Sequence, residues 1–301
     1  MKVLVYGVGG VGGFIGCFLE KTNYEITYVS RGERYNFIKN EGLILNSEIE
    51  NLKFKKLNII NELNKGEHYD IIILTVKLYD FDNVLKEIKQ KVVGDYIILP
   101  FQNGIYAEEK IKNFFGIEKT FGAVAQISAH VDKNQTIQHV GKLATFFVGK
   151  YDGGSNDFLE SFCQNVQKCN LSIIYKNNIK EKIWEKFIFL SAYSGMTTLT
   201  EKTIGQIFEK KSLKSKFLSA MNEAFLLSKK FNVKFKRDPL AFWIEKINSM
   251  PYEMTSSMYL DFKSKKKLEL EWLSGSILNL GKSMNLESRV SNEIVSGIKA
   301  K

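Results

Sequence analysis

The feature that most constrains this chain lies at its start. A run of strand character, Lys2–Tyr6 (KVLVY), passes directly into Gly7-Val8-Gly9-Gly10-Val11-Gly12, which opens a helical segment running to about Lys21. Glycine at the first, third and sixth places allows a tight turn (Gly7), a close approach of backbone to a ligand (Gly9) and close packing of helix on strand (Gly12). The start of the helix adds unpaired N–H groups and the positive end of its dipole, a ready site for a diphosphate. Placed after a strand and before a helix, the motif predicts a dinucleotide-binding unit and an α/β fold built on a doubly wound parallel sheet.

The rest of the first half fits that prediction. Glu25–Val29 (EITYV), Ile71–Val76 (IIILTV) and Tyr96–Pro100 (YIILP) read as strands, with the amphipathic segment Phe81–Lys91 as a crossover helix. The β-branched and aromatic stretch from Phe121 to Gly149 is expected to add strands that complete the same sheet. After about Ile174 the pattern turns helical. Glu181–Thr200 and Leu213–Lys230 carry apolar residues at three and four spacings, and Leu270, Leu273, Ile277, Leu280 and Met284 keep the same rhythm. The expected organisation is a Rossmann-type domain over 1–172 and an all-α domain over 173–301 for substrate and for a homodimer contact through its long apolar stripes.

Composition narrows the function classes. At 44% hydrophobic residues the chain can bury a large core, and no apolar run approaches the roughly 20 residues that span a bilayer. The N-terminus lacks the pattern of a secretory signal. Three cysteines (Cys17, Cys163, Cys169) and three histidines (His68, His130, His139) match no disulfide framework or metal site, so no metal and a cytoplasmic location are expected. The net charge of +10 lies wholly in residues 171–301, with 23 Lys/Arg against 13 Asp/Glu. Without a recognised fold motif or a basic-aromatic platform, it reads as solvated surface and not as a nucleic-acid site.

The end of the second strand selects the dinucleotide. An acidic residue there would accept the ribose hydroxyls of NAD, but the chain reads Val29-Ser30-Arg31-Gly32. Ser30 and Arg31 leave room and positive charge for a 2′-phosphate, with Arg34 as a second cation, so the cofactor is read as NADPH. The alternative is that Arg31 is an ordinary surface cation and Glu33 takes the ribose. Lys77 and Asn103 follow strands on the carboxyl edge of the sheet, where ligands bind.

GVGGVGG, VSRG, TVKLYD, PFQNG, IWEKF, SSMYLD and LELEWLSG occur in this order over residues 1–285. Together they make the chain resemble the ketopantoate reductase (2-dehydropantoate 2-reductase) family. The resemblance implies NADPH binding in the N-terminal domain and reduction of a small 2-oxo acid, ketopantoate to pantoate, on the route to coenzyme A. It also implies that Lys186 is the catalytic general acid, Glu269 the active-site glutamate, Ser257 a substrate-binding serine and Asn103 the crevice asparagine. Helix geometry separates Glu269 from its neighbour independently. If Leu270–Met284 is one helical stripe, Glu269 lies about 60° from its centre and Glu271 about 140° away.

The chain departs from the family pattern in its polar shell. Leu190, Ser194, Ile204 and Met254 stand where family members carry asparagine. Losing amides that would hydrogen-bond a hydroxyl or carboxylate changes substrate choice. Two outcomes follow: a reductase of a more apolar 2-oxo acid, or a non-catalytic NADPH-binding or sensing protein of the same fold.

Overall fold

A computed structural model describes Met1–Lys301. Its first compact unit comprises Met1–Gln102 and Ala107–Lys180, and its second Asn103–Tyr106 and Glu181–Lys301.

In the first unit the chain runs β1 (Lys2–Tyr6), α1 (Gly10–Leu19), β2 (Glu25–Val29), α2 (Gly32–Glu41), β3 (Leu43–Ser47), β4 (Leu52–Phe54), β5 (Asn58–Ile60), β6 (Ile71–Leu74), α3 (Leu78–Lys91) and β7 (Ile97–Pro100). It continues through α4 (Tyr106–Phe115), β8 (Phe121–Val131), β9 (Ile137–Lys150), α5 (Asp157–Gln167) and β10 (Ser172–Tyr175). One sheet is wholly parallel in the order β5-β2-β1-β6-β7. Continuous apolar runs such as Ile71–Leu74 suit strands covered on both faces. The register sets Tyr6 beside Val29 and Leu74, and Leu74 beside Pro100. Gly7, Ser30, Thr75 and Phe101 therefore leave the sheet along one edge, the carboxyl edge at which such sheets bind ligands.

The stretch from Phe121 to Gly149 does not extend that sheet. β8 and β9 pair antiparallel and belong to a second sheet of order β10-β9-β3-β4, with β8 on the other flank of β9. Helix α1 packs in the core they share, with Phe14 4.9 Å from the His139 ring and 6.0 Å from the Phe146 ring. A side chain at Gly13 would overlap Ile137, and one at Gly16 would overlap Tyr28, so small residues at these two positions let α1 approach both sheets. β10 pairs with β9, which carries the first unit on to Lys180, past a junction at 172/173.

The second unit is helical: α6 (Ile179–Thr200), α7 (Ile204–Glu209), α8 (Lys211–Lys230), α9 (Pro239–Asn248), α10 (Ser257–Lys263), α11 (Ser274–Ser283) and α12 (Arg289–Lys299). Helix α6 is apolar around most of its circumference and buries Trp184, Phe187, Ile188 and Met196. Such a helix belongs at the centre of its unit. Phe189 stacks on Trp243 of α9 at 4.2 Å, and the Glu223 carboxylate accepts from the N–H groups of Val290 and Ser291 at the start of α12. There the negative charge meets the positive helix end.

Leu270–Met284 is not one helix. Leu270–Trp272 is a single 3₁₀ turn, Leu273 at φ −105° and ψ −101° breaks the ladder, and α11 starts afresh at Ser274. The angular argument for Glu269 therefore rests on an element that does not exist. Even so, Glu269 is 8% exposed, while Glu271 reaches outward to pair with Lys299.

Candidate functional site

The glycine loop is built as its spacing requires. Gly7 sits at φ +96°, and a Cβ there would lie 2.8 Å from the Val76 nitrogen. Only glycine combines that conformation with that approach. Gly9 has no heavy atom within 4 Å of a Cβ position, so its outer face is open to a ligand. At Gly12 a Cβ would run into the Gly7 carbonyl and Thr75 Oγ1, and Thr75 donates its hydroxyl to that same carbonyl. Val8 and Val11 are the intervening apolar residues, and Gly10 begins α1 against the Ala129 carbonyl.

Arg34 is engaged by main-chain carbonyls. Its Nε donates to the Val8 carbonyl at 2.8 Å and its Nη1 to the Gln135 carbonyl. Burial pushes this guanidinium down to about 10, and Nη2 is buried without a hydrogen-bond partner. It therefore holds the glycine loop by the Val8 carbonyl. The reading of Arg34 as a second 2′-phosphate contact is thus corrected: Nε and Nη1 are bonded to main-chain carbonyls and Nη2 is buried. Nothing in the spacing VSRGER marked it for this, because its partners come from Val8 and from the turn after β8.

At the end of β2, Ser30 is buried and its N–H donates to the Ile60 carbonyl of β5 at 3.2 Å. Arg31 is the N-cap residue of α2, with its side chain 58% exposed. Nη2 donates to Tyr6 Oη at 2.8 Å and to Glu87 Oε2 at 3.1 Å. Beside it lies a cavity of about 460 Å³ lined by Arg31, Gly32, Tyr35, Asn36, Asn61 and Glu62. Lys77, half-buried, is the N-cap residue of α3 at the same sheet edge. The sequence gives no sign of Glu87, which sits 56 positions beyond Arg31.

Asn103 belongs with the second unit, although it follows a strand of the first. Gly104, at φ +100°, would place a Cβ 3.0 Å from the Trp272 carbonyl, and Tyr106 meets the Trp272 ring edge-on. In that setting Asn103 Oδ1 accepts from Lys186 Nζ at 2.7 Å. Two residues picked 83 positions apart are thus joined. Lys186 is half-buried on α6, with Leu190 half-buried one turn further on the same face. Ser194 and Ile204 are buried, and Met254 is 38% exposed.

Ser257 is exposed as the first residue of α10. Its neighbour Ser256 is the buried one: it accepts from Tyr259 N at 3.1 Å and shares a 2.7 Å hydrogen bond with Thr197 of α6. Sequence reasoning passed over Ser256, although a serine one place before a helical run is a usual N-cap signal. His139 is a satisfied core residue, bonded to Ser47 Oγ and the Leu143 carbonyl. No group of His, Cys, Asp and Glu is arranged to hold a metal, and no helix is long and apolar enough to cross a membrane.

A parallel sheet carrying an open glycine loop at its carboxyl edge, with a helical unit that holds a lysine against an asparagine, defines an oxidoreductase of the dinucleotide-binding class. Residues 3–153 match the family model for ketopantoate reductase PanE/ApbA, and residues 178–301 match the model for its C-terminal part. The chain belongs to the ketopantoate reductase family. It is 28% identical over 302 residues to a 2-dehydropantoate 2-reductase of Pyrococcus horikoshii, covering 100% of this chain and 97% of that one. It is 26% identical over 298 residues to the uncharacterized oxidoreductase YkpB of Bacillus subtilis, covering 99% and 98%. In fold it resembles the ternary structure of D-mandelate dehydrogenase with NADH and anilino(oxo)acetate, with TM-score 0.89, 19% identity and coverage of 100% and 97%.

Proposed function

We propose that this chain reduces a small 2-oxo acid to the 2-hydroxy acid with NADPH, and that ketopantoate is the first substrate to try. The observation that carries the reading is the 2.7 Å hydrogen bond from Lys186 Nζ to Asn103 Oδ1. A dinucleotide held at the glycine loop would supply the hydride that the carbonyl carbon accepts. As the carbon–oxygen π bond opens, Lys186 donates a proton to the oxygen and is left as a neutral amine that solvent reprotonates. Before the transfer its positive charge stabilises the oxygen as negative charge develops. Asn103 accepts one of the three N–H bonds of the ammonium and so fixes where the others point. In this reading Gly7, Gly9, Gly12, Arg31 and Lys77 hold the dinucleotide, and Ser257 and Glu269 meet the substrate's polar groups.

Leu190 favours a second reading of the substrate, a 2-oxo acid with a bulkier apolar side chain. An apolar residue beside the lysine leaves a substrate hydroxyl there without a partner, which selects against it. The test is NADPH oxidation by purified protein with ketopantoate and with 2-oxo acids of increasing apolar bulk. Turnover of ketopantoate supports the first reading, and preference for an apolar acid the second. NADPH binding without turnover of any acid would replace both with a sensing role.

A further inference from the structure

We propose that Glu87, with Glu62 beside it, restrains the preference for the cofactor's 2′-phosphate, so that the chain accepts both NADPH and NADH. The proposal rests on the reading of the Arg31 cavity as the 2′-phosphate site. Glu87, on α3 with its side chain 14% exposed, gathers the Tyr6 hydroxyl at 2.7 Å, the Leu63 N–H at 3.0 Å and Arg31 Nη2 at 3.1 Å. Lys91 lies 3.4 Å from Glu87 and 3.6 Å from Glu62, a cavity residue whose side chain is 71% exposed. Arg31 and Lys91 are thus paired with two carboxylates, Glu87 and Glu62, at this cavity.

A 2′-phosphate, carrying up to about two negative charges, must share Arg31 with a carboxylate already in place. It can still be bound, because the hydrogen bonds of Arg31 use Nη2 alone and leave Nε and Nη1 for the incoming oxygens. A ribose with free hydroxyls suffers no such repulsion and has Asn36, Asn61 and Glu62 as partners in the cavity.

Glu87→Gln keeps an oxygen acceptor in the Tyr6–Leu63–Arg31 cluster and removes the charge. A unit charge several ångströms from a phosphate at a partly solvated site is worth about tenfold in affinity. NADPH and NADH dissociation constants would be measured for the parent, Glu87→Gln and Arg31→Ala. The proposal expects Glu87→Gln to bind NADPH about tenfold more tightly, with NADH within about twofold of the parent. An unchanged or lowered preference for NADPH overturns it. Arg31→Ala separates the two claims: if it leaves the NADPH-to-NADH ratio unmoved, the phosphate-site reading itself fails. Should Glu87→Gln not fold, Glu62→Gln on its exposed side chain is expected to shift the ratio the same way by about threefold. An unmoved ratio in that variant also overturns the proposal.

Discussion

Alanine at Gly9 and at Gly12, one at a time, separates ligand contact from packing in the glycine loop. At Gly9 an added Cβ meets nothing within 4 Å, and the backbone at φ −81° and ψ −154° suits alanine. Stiffening the unfolded chain favours the variant by about 0.4–1 kcal/mol, and alanine's poorer fit at an N-cap costs about as much. Gly9→Ala should therefore melt within about 2 °C of the parent. If a diphosphate lies over Gly9, the same methyl group stands where it approaches the backbone. Losing one charge-assisted N–H bond costs about 1.5–3 kcal/mol, which raises the Kd for NADPH about 10- to 150-fold. At Gly12 the Cβ falls closer than 3.0 Å to a backbone oxygen that cannot swing aside. Overpacking of that kind costs about 1–3 kcal/mol, a fall in Tm of about 2–10 °C. Thermal unfolding and titration of nicotinamide fluorescence read the two effects. NADPH binding by Gly9→Ala within about twofold of the parent would refute a diphosphate lying over Gly9, and an unshifted Tm in Gly12→Ala would refute its packing role.

The serine pair gives a second contrast. Ser256→Ala removes a cap and the Thr197 partner and should cost about 1–2 kcal/mol in denaturant unfolding. Ser257→Ala should leave stability within about 0.5 kcal/mol and raise KM for the acid, whereas equal destabilisation by both would contradict the assignment. Arg34→Met strips the donor from the Val8 and Gln135 carbonyls. A loss of about 1–3 kcal/mol with weaker NADPH binding is expected, and full stability would show that the guanidinium is not holding the loop. Burial alone would raise the Glu87 carboxyl, but hydrogen bonds from Tyr6 and Leu63 together with the Lys91 charge hold it below its ordinary 4.5. A depressed carboxyl stabilises the fold fully above about pH 4.5 and loses that contribution as pH falls through its own value. The Tm gap between the parent and Glu87→Gln should therefore narrow below about pH 4.5, and a constant gap down to about pH 3 would contradict the sign.

Local chemistry made four strands of the first sheet readable, β1, β2, β6 and β7, but not the three-residue edge strand β5. Strands such as Lys2–Tyr6 and Ile71–Leu74 announce burial by their own composition, and the glycine loop needs only its neighbours to be understood. The second sheet was hidden because Leu43–Ser47 and Leu52–Phe54 are short and partly polar, and their partner β9 lies far along the chain. The rhythm from Leu270 to Met284 misled because periodicity does not report a single broken residue, Leu273. The family motifs singled out Lys186 and Asn103, which the fold joins by a hydrogen bond. Arg34 and Glu87 were not, since each acts through partners that only the fold brings near.

The most direct test of the account compares Lys186→Ala with the parent, using whichever 2-oxo acid the parent reduces best. If Lys186 is the proton donor, acting on the carbonyl oxygen and not on the dinucleotide, kcat falls about 10²- to 10⁴-fold while the Kd for NADPH stays within about twofold. Turnover undiminished by the substitution would contradict the assignment of the proton donor and with it the mechanism proposed for this chain.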